Sequence, residues 1–209
     1  MKIRFWLIPL LLLLIAGCSA LLERPSLEPY QNYFSDPQAR RKTIQQGSVR
    51  VTYLGTTSLL FSDGETQILI DGFLTRPGPA WQLPFRKIET NRYKIREYLK
   101  RLGVEKLDAI LVFHSHYDHA LDAPYIALQT GAQVLGSEST AFLSQGEGLS
   151  WQQIVLAKPY KTLNYGAFKV TLIPSRHVDL PWVANLTGMM GDIEAPLRQP
   201  ASMFDYREG

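Results

Sequence analysis

Leu107-Asp108-Ala109-Ile110-Leu111-Val112-Phe113 runs directly into His114-Ser115-His116-Tyr117-Asp118-His119. The first seven residues are almost continuously apolar, the pattern of a strand covered on both faces. The next six carry three imidazoles and a carboxylate, the side chains that ligate zinc and similar divalent ions. The 209-residue chain has only 4 histidines, and the last is His177, at the end of another strand-like run. A strand ending in such a cluster sets its ligands on a tight loop at a sheet edge. His114 and His116 lie two apart, so in extended chain they point the same way and can grip one ion. Asp118 and His119 lie beyond a turn and face a second, neighbouring position. The spacing predicts two adjacent metals.

Working outward, Val49, Val51 and Tyr53 alternate with polar residues, as in a half-buried strand. Gly55-Thr56-Thr57 turns the chain into a second strand over 58–61, and Asp63-Gly64 signals a hairpin to a third over 66–70. These three read as an antiparallel meander ending at Asp71-Gly72. Residues 73–91 are irregular and contain Pro77, Pro79 and Pro84. Ile95, Tyr98, Leu99 and Leu102 have helical spacing, and Gly103 suits the helix stop. After the histidine cluster, residues 120–130 read as a helix closed by Gly131. Short strands are expected over 133–135, 154–157, 161–164 and 168–173, with a short helix over 139–144.

At this point the sequence resembles the metallo-β-lactamase superfamily over residues 49–177. The likeness rests on the strand pair leading to Ile68-Leu69-Ile70-Asp71-Gly72, on the six-residue histidine motif, and on His177 at a strand end. The resemblance implies an α/β (α+β) fold, the αββα sandwich made of two similar halves. Carried over by position, it implies that His114, His116 and His177 hold the first metal and that Asp118 and His119 hold the second. The expected cofactor is a divalent metal, most often zinc, with two ions in the complete family site. A metal-bound hydroxide would be the nucleophile, since coordination lowers the pKa of water towards neutrality, and Asp118 would be the catalytic residue that orients it. Asp71 is similar to the acidic residue that steadies the histidine loop by hydrogen bonds; a plain turn residue before Gly72 is the alternative. The family pattern adds a bridging aspartate and a last histidine after His177, and this chain shows no further histidine. Asp192 is the one bridging candidate, against a loop aspartate. The sequence therefore reads as C-terminally truncated, with the N-terminal half complete and the C-terminal half largely missing.

The N-terminus reads as an export signal. Lys2 and Arg4 precede an apolar run over residues 5–15, and Ile15-Ala16-Gly17-Cys18 resembles a bacterial lipobox. An uncleaved anchor helix is the alternative. Cys18 is the only cysteine, which excludes an intramolecular disulfide and suits lipid attachment. Ser19 after the cysteine resembles the outer-membrane sorting pattern, so the expected place is the cell envelope, facing the periplasm. The expected organisation is a signal peptide over 1–17, a tether over 18–47 and the metallo-β-lactamase-like domain over 48–209. Net charge is +3, from 22 basic and 19 acidic residues, too mild to argue for nucleic acid.

Two functions compete. One is a lipid-anchored metal-dependent hydrolase acting on an ester or phosphodiester, with a lipid-like form of substrate suggested by Phe73, Trp81, Phe85, Trp182, Met189, Met190 and Phe204 on the loops that leave Asp71 and His177. Those residues packing under their own loops is the plainer reading. The other is a truncated, catalytically inactive lipoprotein that binds a metal or a partner. A β-lactamase is a third possibility that no residue singles out.

Overall fold

A computed structural model of the chain describes residues 26, 28–33, 43–78, 86–175, 177 and 188–209. The chain divides into two compact units, Met1–Lys42 and Thr43–Gly209. In the first, a 3₁₀ helix spans Glu28–Tyr33, its first amide donating to Ser26 Oγ at 3.2 Å. The expected signal segment, Cys18, Trp81, Phe85 and Trp182 lie outside the described residues. No helix among the described residues is long and apolar enough to cross a membrane.

The second unit is built on a six-stranded sheet. β1 (Arg50–Gly55), β2 (Ser58–Ser62) and β3 (Gln67–Ile70) form the antiparallel meander. β5 (Ala109–Leu111), β6 (Gln133–Gly136) and β7 (Ile154–Leu156) continue from β3 in parallel, giving the order β1-β2-β3-β5-β6-β7. The parallel crossovers are helical. α1 (Arg92–Leu102) starts where the Asn91 side chain accepts from the Lys94 amide and stops at Gly103, whose φ of 67° fits the left-handed cap. The one-turn α2 (Tyr117–Ala120) follows β5, then α3 (Ala123–Thr130) and α4 (Glu138–Gly146).

Side-chain alternation across this sheet separates two cores. Leu69, Ile110 and Val134 share one row and pack with Ile95, Leu99, Ile126 and Ala141 of the helices. Ile68, Ala109, Leu111 and Leu135 face the other way, against Leu163, Tyr165, Phe168 and Val170 of the hairpin β8 (Thr162–Tyr165) and β9 (Phe168–Thr171). The described residues thus form a mixed α/β fold with helices on one face of the sheet and a β-hairpin on the other.

The meander departs from the sequence reading in one respect. Val51 and Tyr53 are 52% and 68% exposed, while their neighbours Thr52 and Leu54 are partly buried. The hairpin covers β3, β5 and β6, and β1 lies beyond it at the sheet's edge, so the apolar face of β1 is open.

Residues 188–209 pack into the helix-side core through Ile193, Ala201 and Tyr206. β10 (Ala201–Ser202) pairs with β4 (Lys87–Ile88), inside the stretch that reads as irregular in the sequence. Two-residue strands carry no local periodic signal. The loop after β3 is pinned from below by Asp122, fully buried at the start of α3. Its carboxylate accepts from the amides of Leu74 (2.8 Å) and Thr75 (2.6 Å) and from Thr75 Oγ1 (2.6 Å). Burial pushes this carboxyl's pKa up, against the opposing pull of these hydrogen bonds. Asp122→Ala strands three donors in a dry site and is expected to cost about 3 kcal/mol in urea unfolding; a midpoint equal to the parent's would contradict this.

Candidate metal centre

The cluster sits where the apolar strand ends. β5, an interior strand, stops at Leu111, and residues 113–116 turn at its C-terminal end before α2 begins at Tyr117. Two main-chain bonds hold the turn: Val112 donates to Leu135 O at 2.9 Å and Ser115 to Glu208 O at 2.8 Å. The Ser115 hydroxyl is buried beneath it, 2.8 Å from Thr140 Oγ1 and 3.2 Å from Ser137 Oγ. The loop is therefore fixed from the strand, from α4 and from the C-terminal segment together.

His114, His116 and His177 converge. One nitrogen from each lies within 4.8 Å of the others, the group among the described residues that could hold a metal ion. His114 Nε2 and His116 Nδ1 are 3.0 Å apart, and the ring of His177 stands edge-on to both, with centroid separations of 4.9 and 5.1 Å. Two imidazole ligands of one tetrahedral zinc, each at about 2.0–2.1 Å from it, stand about 3.3 Å apart. The donor set and spacing fit such an ion. Burial, then the neighbouring imidazoles, pushes the His114 pKa from 6.5 down to about 3, and burial lowers that of His116. Both shifts favour the neutral ring, the state a ligand requires.

His119 and Asp118 form the adjoining part. The His119 ring lies beside His114 at 3.9 Å between centroids, and its Nε2 is 3.9 Å from Asp118 Oδ2. His119 Nδ1 donates to Asp71 Oδ2 at 2.8 Å, with Thr57 Oγ1 at 3.3 Å from the same nitrogen. A carboxylate only accepts, so the proton sits on Nδ1 and the Nε2 lone pair is presented on the Asp118 side. Burial pulls the His119 pKa down, but the hydrogen bond and charge of Asp71, with Asp118, outweigh it and the net shift is upward.

Asp71 is placed by an unusual backbone. At φ 57° it occupies the left-handed region that few non-glycine residues take. Its amide donates to Leu111 O at 2.8 Å, and Oδ1 accepts from the Phe113 amide at 3.0 Å. One side chain with no solvent contact thus ties β3 to the histidine loop and orients His119.

Other sequence candidates fall elsewhere. Asp192 is exposed, its carbonyl accepting from Arg207 at 3.1 Å, and it is not in the histidine group. Phe73 is core, packed edge-on to Tyr117 at 5.9 Å between centroids, so it is no substrate wall. Met190 is exposed, and so is Phe113, next to His114. The sequence reading missed Thr57, visible only as part of a Gly-Thr-Thr turn, and the main-chain carbonyl of Met189, which no side-chain pattern marks.

A family model for the metallo-beta-lactamase superfamily matches residues 51–195, and the chain belongs to that superfamily. It is similar to a metal-dependent hydrolase of Rubrobacter xylanophilus, at 36% identity over 104 residues, 49% of this chain and 36% of that protein. A metal-dependent hydrolase of Oenococcus oeni is 30% identical over 142 residues, 66% of this chain and 53% of that protein. The chain thus spans about half the length, or less, of these curated relatives. Among solved structures, Igni18, a metallo hydrolase from Ignicoccus hospitalis, gives a TM-score of 0.45 at 24% identity, covering 62% of this chain and 49% of that one. A metallo-beta-lactamase from Cronobacter sakazakii gives 0.42 at 20%, covering 59% and 50%.

Two outcomes are expected. Asp71→Ala should weaken metal binding about 10- to 100-fold by calorimetric titration, because His119 and the loop lose their anchor; unchanged affinity would contradict the assignment. In the metal-free protein His114 has a folded pKa of about 3 against 6.5, so the unfolded chain takes up its proton first on acidification. Stability should be full above pH 6.5 and fall as pH drops through that value towards 3. His114→Gln should make the fall shallower in denaturant midpoints taken across that range.

Proposed function

We propose that this chain carries the metal centre of a hydrolase that cleaves an ester or phosphodiester bond. The observation that carries the reading is the convergence of His114, His116 and His177 within 4.8 Å, beside His119 oriented by Asp71. The similarity to proteins described as metal-dependent hydrolases supports it. A bound divalent ion, zinc by the preference of an imidazole-rich set, would supply Lewis-acid polarisation and a lowered water pKa. The chain's own groups do the rest. The three histidines fix position, and Asp71 keeps the His119 lone pair turned inward. Asp118, partly exposed and 3.9 Å from His119 Nε2, is the carboxylate available to accept a proton and orient an attacking water. Exposed Phe113 and Met190 adjoin residues of the site and supply apolar surface, which favours a substrate with an acyl or lipid-like part.

Anchoring is part of the proposal. Lys2, Arg4, the apolar run over 5–15 and Cys18 support a lipid-modified N-terminus that holds the protein on the bacterial envelope, in the outer membrane and facing the periplasm.

Turnover of bis-p-nitrophenyl phosphate that is abolished by a chelator, restored by zinc and reduced at least about a hundredfold by His177→Ala is the expected result. Metal uptake without turnover of this or of p-nitrophenyl acyl esters would overturn it in favour of a non-catalytic metal-binding lipoprotein. Preferential cleavage of nitrocefin would overturn it in favour of a β-lactamase. Cys18→Ser is expected to move the protein from the membrane to the soluble fraction of cells; an unchanged distribution would contradict the anchor.

A further inference from the structure

His116 has a partner on each side of its ring. Nδ1 faces His114 Nε2 at 3.0 Å, and Nε2 faces the carbonyl oxygen of Met189 at 3.1 Å. A carbonyl oxygen can only accept. The proton of a neutral His116 therefore belongs on Nε2, and its Nδ1 presents a lone pair to the point where the three histidines meet.

The carbonyl is itself held in place. Met189 and Met190 lie between Gly188, at φ 74°, and Gly191, at φ 92°, both in the region that L side chains avoid. A Cβ at either glycine would meet nothing within 4 Å, so these glycines are required by the backbone turn and not by crowding. The last residues lace this turn to the histidine loop. The Glu208 amide donates to Met189 O at 3.0 Å and the Gly209 amide to Gly191 O at 3.0 Å, while Glu208 O accepts from Ser115 at 2.8 Å. Met189 O thus uses both lone pairs, one for the Glu208 main chain and one for His116. Ser115, one residue before His116, is fixed by the same segment.

We propose that the Met189 carbonyl, set by the turn over residues 188–191 and laced to the motif by residues 208–209, is a positioning group: it fixes the tautomer of His116 and aims Nδ1 at the metal. Its Met189 side chain has no part in this; the main chain does the work. The proposal rests on the reading of His114, His116 and His177 as ligands of one ion, and is independent of what is hydrolysed.

The test uses the metal-free full chain, ¹⁵N-labelled at histidine. Long-range ¹H–¹⁵N correlation at pH 7.5 should show His116 with a pyrrole-type Nε2 and a pyridine-type Nδ1. Gly191→Val, which puts a β-branched residue at φ 92° where a Cβ meets nothing within 4 Å, should lose that pattern and bind Zn²⁺ about tenfold or more weakly by calorimetry. Met189→Leu keeps the carbonyl and should change neither reading. Should Gly191→Val not fold, Gly188→Ala takes its place, and the tautomer of the parent protein decides on its own. An Nδ1–H tautomer in the metal-free parent would overturn the proposal. So would a folded turn variant that keeps parental zinc affinity. Failure of the parent to bind zinc, with the Nε2–H tautomer present, would instead sink the reading of the three histidines as a metal site.

Discussion

The carboxylate of Asp71 is the constraint on which the rest of the site depends. It is sealed from water at the C-terminal end of β3, its own amide bonded to Leu111 across the sheet and its two oxygens bonded to Phe113 N and His119 Nδ1. A buried carboxylate must have its charge met by donors, and these are the donors available. The loop after β5 is therefore obliged to turn at the C-terminal end of that strand where it does, and His119 is obliged to carry its proton on Nδ1. The residue sits at a positive φ, a strain that the surrounding bonds must over-determine for it to persist.

Three further anchors work on the same loop from different directions. Thr57, on the β1–β2 turn, reaches His119 from the meander. Ser115 is bonded to the cap and first turn of α4 through Ser137 and Thr140. The C-terminal segment closes the remaining side through Glu208 and Met189. Each anchor belongs to a different part of the chain, so the geometry of the histidine cluster is a property of the assembled unit and not of the six-residue motif alone. That is the usual way a metal site gains precision, by outer partners that leave each ligand one orientation.

The sequence made the centre of this picture legible because its signals are local. An apolar run ending in His114, glycines at 103 and 131, and the Asp63-Gly64 hairpin each announce themselves within a few residues. The histidine motif stands out because imidazoles are few in this chain and clustered. What stayed hidden is non-local or lies in the main chain. The β4–β10 pair joins residues over a hundred positions apart through two-residue strands. Asp122 reads as an unremarkable acid inside the single helix expected over 120–130, until the structure splits that helix around it and sets the Leu74 and Thr75 amides on its carboxylate. The alternation of Val51 and Tyr53 marks a strand, yet their face is open to solvent, because periodicity reports which residues share a face and not what covers it. Met189 contributes through its carbonyl, which every residue has.

The most direct measurement is X-ray absorption at the zinc edge on the purified full chain loaded with one equivalent of Zn²⁺. Three imidazole nitrogens at about 2.0–2.1 Å, falling to two in His177→Ala, is the result the account predicts. A first shell of oxygen atoms with one imidazole or none, unchanged in that variant, would contradict it.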